Sequence, residues 1–309
     1  MSDNFSPKII FFGTPDFAVA SLKALVEGNF NVVAVVTAPD KPAGRGRKLH
    51  TSAVKEYALS QELKILQPEK LKNKDFLEEL FQLKADLQIV VAFRMLPEII
   101  WGNPKMGTIN IHASLLPQYR GAAPINWAII NGERETGVTS FKLQHEIDTG
   151  PLLLQKKTTI LPEDNLGSLY EKLMQSGAAL LVETVQGLTE NKIVEQPQDL
   201  NLEIKHAPKI FKDDCKIDWD KNSESVHNLI RGLSPYPAAF TFLEEKQLKI
   251  FSSSIEIINH NIAPSTFETD GKTFLRFATK DGWVNCLDVQ YEGKRRMKIE
   301  DFLRGWRRS

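Results

Sequence analysis

The chain has 309 residues, 42% hydrophobic and 25% charged, with 39 basic and 39 acidic side chains for a formal net charge of +0. That composition belongs to a soluble globular protein long enough for two domains, each with its own core. No apolar run approaches the roughly 20 residues of a membrane span, and Cys215 and Cys286 are too few and too isolated for a disulfide framework or a CxxC zinc site.

The N-terminal Met1-Ser2-Asp3-Asn4 has neither a basic region nor an apolar core, so no secretory signal is expected and a reducing cytoplasm is the expected location. Lys8-Ile9-Ile10-Phe11-Phe12 is a short apolar run closed by Gly13, which reads as a buried strand feeding a helix. Thr14-Pro15 reads as the start of that helix, with Thr as cap and Pro in the first position. Residues 17–26 then carry Phe17, Ala20, Leu22, Ala24 and Leu25 at helical spacing. Residues 31–36 read as the next strand, 73–83 as a helix and 87–92 as a further strand. Such alternation argues for a parallel sheet with right-handed crossovers. Gly13 opens no G-x-G-x-x-G pattern, so no NAD is expected.

After the second strand, residues 39–49 contain Pro39, Pro42, Gly44 and Gly46, which predict an exposed loop without regular structure. From 41 to 48 it carries Lys41, Arg45, Arg47 and Lys48 and no acid. Such a run suits phosphate contact; a solvated charged loop is the other reading.

The run Asn110-Ile111-His112-Ala113-Ser114-Leu115-Leu116-Pro117 follows a strand signal at Gly107-Thr108-Ile109. Two residues apart on a strand, Asn110 and His112 point to one face, at the strand end where open α/β sheets place their sites. An amide that donates hydrogen bonds and stays neutral suits a developing oxyanion, and an imidazole trades protons near neutral pH. Asp148, in Ile147-Asp148-Thr149-Gly150, is a candidate partner that would sustain the imidazolium and fix its tautomer. Ser114 has no G-x-S-x-G context, and no residue nearby reads as a covalent nucleophile. The chemistry expected is direct attack of an amine on a carbonyl carbon. The alternative is an Asn and a His that only satisfy backbone groups at a strand end.

Residues 165–188 read as a long helix with a leucine stripe. The polar stretch 191–208, with Pro197 and Pro208, reads as a linker. A helix near 223–232 and short β-like runs at 239–243, 248–251, 255–258, 273–278 and 283–289 suggest a small β-barrel.

Residues 110–124 (NIHASLLPQYRGAAP) resemble the signature of the formyltransferases that use 10-formyltetrahydrofolate. Phe12-Gly13-Thr14-Pro15-Asp16-Phe17-Ala18, residues 36–49 (VTAPDKPAGRGRKL) and residues 228–237 (NLIRGLSPYP) are similar, in the same order, to members of that family acting on methionyl-tRNA. The resemblance implies an α/β fold: a Rossmann-like, mostly parallel formyltransferase domain over 1–190, a linker over 191–208 and an OB-like tRNA-binding domain over 209–309. It implies Asn110, His112 and Asp148 as the catalytic trio, and folate contact at Ser114, Leu115, Leu116 and Pro117. It assigns Lys41, Arg45, Arg47 and Lys48 to the tRNA acceptor stem. The implied donor is 10-formyltetrahydrofolate, without metal or NAD. The implied acceptor is the methionine α-amine of initiator methionyl-tRNA, handled by a monomer. A sugar amine or small amine as acceptor, or hydrolysis of the donor, are the alternatives. The chain departs from the family pattern at Phe93-Arg94-Met95 and at Gln144-His145-Glu146, both of which bear on the shape of the folate pocket.

Overall fold

Ile9–Gly13, buried along its whole length, forms the first strand because a run of apolar residues with no polar alternation fits a position covered on both faces. The computed structural model describes residues 6–43, 48–199 and 201–307; at 42–43 and 48–50 only the backbone is described. Two units divide the chain: Met1–Gly121, Thr136–Thr158 and Glu171–His206 make the first, and Ala122–Glu135, Thr159–Tyr170 and Ala207–Ser309 the second.

In chain order the elements are β1 (Ile9–Gly13), α1 (Asp16–Glu27), β2 (Val32–Val36), β3 (Lys41–Ala43), β4 (Lys48–His50), α2 (Ala53–Ser60), β5 (Ile65–Leu66), α3 (Lys74–Gln82), β6 (Leu87–Val91), α4 (Glu98–Trp101), β7 (Thr108–His112), β8 (Arg120–Gly121), α5 (Pro124–Ile130), β9 (Glu135–Lys142), β10 (Leu152–Thr159), α6 (Leu166–Thr189) and β11 (His206–Ala207). The first unit holds a seven-stranded sheet in the order β10-β9-β7-β6-β1-β2-β5. Strands β5, β2, β1, β6 and β7 run parallel, and β9 joins β7 antiparallel. The chain moves outward from β1 through β2 to β5, then returns to β6 on the other side of β1. The crevice between β1 and β6 is therefore the point where strand order reverses, the usual place for a ligand in such sheets. Ile10, Phe12, Ala34, Val36 and Val90 pack with Phe76 and Leu80 of α3 into one core cluster.

Three local expectations are corrected. Helix α1 starts at Asp16, with Pro15 as the extended residue before it and no capping hydrogen bond from Thr14; Asp16 Oδ1 instead accepts the Phe17 N–H at 3.0 Å. Residues 39–49 are not wholly irregular: β3 and β4 pair antiparallel, Lys41 opposite His50, Pro42 opposite Leu49 and Ala43 opposite Lys48. In a two-stranded ribbon half of the N–H groups point outward, so a proline breaks no ladder. Arg45 and Arg47 lie outside the described residues. The stretch read as a linker is in part docked on the first unit: Leu152 and Gln196 exchange backbone hydrogen bonds of 2.7 and 2.9 Å, which extends the ladder at the edge of β10.

In the second unit α5 is followed by α7 (Ser223–Gly232), β12 (Ala239–Leu243), β13 (Lys246–Ile257), β14 (Phe267–Thr269), β15 (Leu275–Ala278), β16 (Gly282–Tyr291), β17 (Met297–Lys298) and α8 (Ile299–Gly305). The sheet runs β12-β13-β16-β15-β14, with β17 on β16, and its pairings are antiparallel. The two runs expected at 248–251 and 255–258 are one 12-residue strand, β13. Register shifts at Ser252 and Ser253 bend it against β16, so the small-residue tract between the two expected runs is a bulge. The bend gives a half-barrel, filled by Val226 and Ile230 of α7, Ile250, Phe277, Val284 and Phe302. Among the described residues no helix is long and apolar enough to cross a membrane.

Candidate active site

Strand β7 carries the site because its two faces differ. Ile109 and Ile111 are 0% and 4% exposed, and Ile111 lies against Gly177 of α6, where an added Cβ would come within 3.2 Å of its Cγ2. Asn110 and His112 fall on the other face, in register with Phe141 and Thr139 of β9. The Asn110 side chain is half-buried and makes no hydrogen bond among the described residues. Its NH₂ is thus free to meet a ligand.

His112 is 7% exposed. Its Nε2–H donates to the Tyr119 carbonyl at 2.8 Å, and its Nδ1 faces Asp148 Oδ2 at 3.8 Å. That second distance exceeds a hydrogen bond. The tautomer is therefore set by a backbone carbonyl and not, as the sequence suggested, by Asp148. The carboxylate acts on the ring as a nearby charge, strongest when Nδ1 takes a proton. Asp148 Oδ2 is itself held by the Gly121 N–H at 3.0 Å. The Asp148 backbone adopts φ +55, a left-handed conformation that Asp tolerates better than most residues. Two residues on, Gly150 closes the turn against β9, and a Cβ there would sit 1.7 Å from the Lys142 carbonyl oxygen. His112 and Asp148 thus come together at the C-terminal end of β7, on the strand face that also carries Asn110.

The turn at residues 114–117 follows directly. Ser114 is fully buried, with its Oγ–H donating to the Gln118 carbonyl at 2.6 Å. Thr139 accepts from the Leu116 N–H at 3.1 Å and donates to the Ser114 carbonyl at 2.6 Å. Gln155 donates to the Leu116 carbonyl at 2.8 Å. Leu116 and Pro117 are buried, and Leu115 alone of the four is partly exposed.

A cleft of about 560 Å³ opens beyond the ends of β1, β2 and β6, lined among others by Thr14, Pro15, Asp40, Lys41, Phe93 and Arg94. It occupies the crevice where strand order reverses. Arg94 donates to the Glu69 carbonyl at 2.8 Å and to that of Pro68, and Phe93 meets Phe12 edge-on at 5.7 Å. The atypical Phe93-Arg94 pair therefore forms the wall of this cleft. Asp40 is bonded to the Lys55 ammonium at 2.5 Å and to Gln67 at 2.9 Å; Lys55 first, then Gln67, holds its carboxyl below the usual carboxylate range. His145 is exposed and lies 3.1 Å from Glu98.

Sequence reasoning missed the groups that hold the trio. The Tyr119 carbonyl and Gly121 N–H are backbone atoms, which no residue pattern advertises. Gln198 lies in the stretch read as a linker, yet it binds the Asp148 turn directly. A single Gln between Pro197 and Asp199 carries no sequence signal.

Residues 7–185 match the family described as formyl transferase, and residues 209–307 match the formyl transferase C-terminal domain. A methionyl-tRNA formyltransferase of Bacteroides fragilis is 53% identical over 307 residues, covering 97% of this chain and 95% of its own. Another, of Flavobacterium johnsoniae, is 48% identical over 302 residues, covering 96% of each chain. Among solved structures, an N-formyltransferase from Helicobacter canadensis in complex with folinic acid and dTDP-3-aminofucose superposes with a TM-score of 0.68 at 23% identity, over 91% of this chain and 98% of that one. At that identity the likeness concerns the fold.

Proposed function

The chain belongs to the formyl transferase family, and on that premise we propose that it moves the formyl group of 10-formyltetrahydrofolate to the α-amine of methionine on initiator methionyl-tRNA, as the start of translation requires. About 50% identity over nearly the whole length to relatives named for that reaction supports the acceptor. The observation that carries the chemistry is His112, fixed by the Tyr119 carbonyl and flanked by Asp148, with the unengaged Asn110 amide on the same strand face.

The amine nitrogen attacks the formyl carbon and the bond from that carbon to N10 breaks. The amine loses one proton and N10 gains one, so the step balances. Asn110 donates to the oxyanion as it forms. The Nε2–H of His112 is committed to Tyr119, so Nδ1 is the atom that takes and returns the proton. Asp148, at 3.8 Å, stabilises the imidazolium during that interval. The Asn110–His112–Asp148 set comes from one unit of one chain, which fits a monomer, and its tRNA substrate fits the cytoplasm.

The folate-type donor lies along the turn 114–117. Its contacts fall to Leu115 and the backbone, because the Ser114 hydroxyl is already bonded inside the turn. The pterin takes the side of the cleft formed by Phe93 and Arg94, and the acceptor end enters on the side of Thr14 and Lys41. Lys41, Arg45, Arg47 and Lys48 reach the acceptor stem, where arginine can bond phosphate bidentately.

Single-turnover formylation with Asn110→Ala tests the chemistry. The rate should fall on the order of 10²–10³-fold, the loss typical of removing an oxyanion donor, with donor affinity within a few-fold of wild type. A loss below about tenfold would remove Asn110 from the central role.

A further inference from the structure

Gln198 is 8% exposed, and every hydrogen-bonding position of its amide is filled. Its Nε2 donates to the Asp148 carbonyl at 2.9 Å and to the Gly150 carbonyl at 2.8 Å. Its Oε1 accepts from Arg120 Nε at 3.1 Å and Arg120 Nη2 at 2.5 Å. A primary amide has two donors and one oxygen with two lone pairs, so the side chain is saturated. It joins the two turns that define the Asp148 carboxylate. One is the Asp148–Gly150 turn, with its left-handed residue; the other is the Arg120-Gly121 segment, whose N–H grips Asp148 Oδ2.

We infer that Gln198 is a positioning residue for the reaction: it sets the distance between Asp148 and His112 by tying the Asp148 turn to the Arg120-Gly121 segment. This rests on the reading that Asp148 serves the proton transfer. The demand is specific. Of the side chains of that length, only an amide presents two donors to two carbonyls and an oxygen to a guanidinium. An isosteric carboxylate would keep the bond to Arg120 and turn an oxygen toward the carbonyls of residues 148 and 150. Repulsion there would push the turn away from His112. Displacements of about 1 Å in a catalytic group cost up to about 100-fold in rate.

The test compares Gln198→Glu, Asp148→Asn and the double variant in the full-length protein, with initiator methionyl-tRNA and 10-formyltetrahydrofolate as substrates. Gln198→Glu should lower kcat about 10- to 100-fold while both KM values stay within about threefold. Its deficit should shrink as pH falls, because protonating the introduced carboxyl restores one donor. The double variant should be no slower than Asp148→Asn, since both changes act through one carboxylate. Gln198→Met, apolar and of similar length, removes the four bonds without repulsion. It should fall between wild type and Gln198→Glu, so a folding failure of the carboxyl variant does not end the test. Full kcat in both Gln198 variants, alongside a slow Asp148→Asn, would overturn the inference and leave the role of Asp148 intact. Full kcat in Asp148→Asn would instead overturn the reading beneath it. Additive losses in the double variant, or a deficit that ignores pH, would reduce Gln198 to a structural residue.

Discussion

Asn110 and His112 are two positions apart on a strand whose other face is Ile109 and Ile111, and that alternation is what made them legible as a pair. Asp148 was legible as a candidate partner but not in its geometry, because 35 residues of chain lie between it and His112. Only the fold shows that its carboxylate stands 3.8 Å from Nδ1, beyond a direct hydrogen bond, and that the Tyr119 carbonyl orients the ring. The charge relation carries a prediction of its own. Asp148→Asn keeps the shape and removes the charge that stands 3.8 Å from Nδ1, so kcat should fall while both KM values hold. A wild-type kcat in Asp148→Asn would mean the carboxylate does not act on His112.

The elements that were readable include the buried run of β1, the helical spacing of α1 and the helix placed at 73–83; the Asn73 cap, whose Oδ1 accepts the Phe76 N–H at 3.1 Å, came only with the structure. β9 escaped notice because it is buried on both faces yet carries Thr136, Thr139 and Ser140, so it shows neither alternation nor a continuous apolar run. The turn between β9 and β10 then depends on Gly150. A Cβ there would collide with backbone at 1.7 Å, so Gly150→Ala must displace the Asp148 turn or open β9. Its kcat should fall at least tenfold, as expected when a catalytic group is displaced, and its Tm should drop; wild-type values for both would show that the turn tolerates the shift. In the second unit, α7 presents His227, whose Nδ1 lies 2.9 Å from Ser253 Oγ. Burial first, then the positive charge of Arg231, holds its imidazole below the ordinary value. The unfolded chain therefore binds the proton before the folded one. Stability is complete above the ordinary imidazole range, falls as pH drops through it, and levels off below the depressed folded value. Thermal unfolding between about pH 7.5 and 5.5 should show this slope, and His227→Gln should flatten it. An unchanged slope in the variant would assign the pH dependence to other groups.

At the scale of the molecule, order along the chain concealed how the units are built. Residues 122–135 and 159–170 pack with the C-terminal half although they lie inside the first family match. A polar, proline-bearing stretch looked like a free connection, yet Gln196 and Gln198 are bonded into the first unit. Periodicity reports one element at a time and carries no signal for such returns. Net charge was equally uninformative: +0 overall conceals the four cations between 41 and 48. If that run meets phosphate, replacing Arg45, Arg47 and Lys48 together with Ala should raise the KM for tRNA at least tenfold, in line with the loss of several phosphate contacts, and steepen nothing in its salt dependence but flatten it. The KM for the donor should stay as it was. An unchanged tRNA KM would place the loop outside the interface.

The most direct trial of the proposed reaction sets three acceptors side by side with 10-formyltetrahydrofolate and the wild-type protein: initiator methionyl-tRNA, elongator methionyl-tRNA and a dTDP-linked amino sugar. Formyl-methionyl ester should accumulate on the initiator tRNA, at a rate that Asn110→Ala lowers on the order of 10²–10³-fold, with little on the elongator and none on the sugar. Donor consumed without any formylated tRNA, or formylation of the sugar in its place, would contradict the assignment of the acceptor.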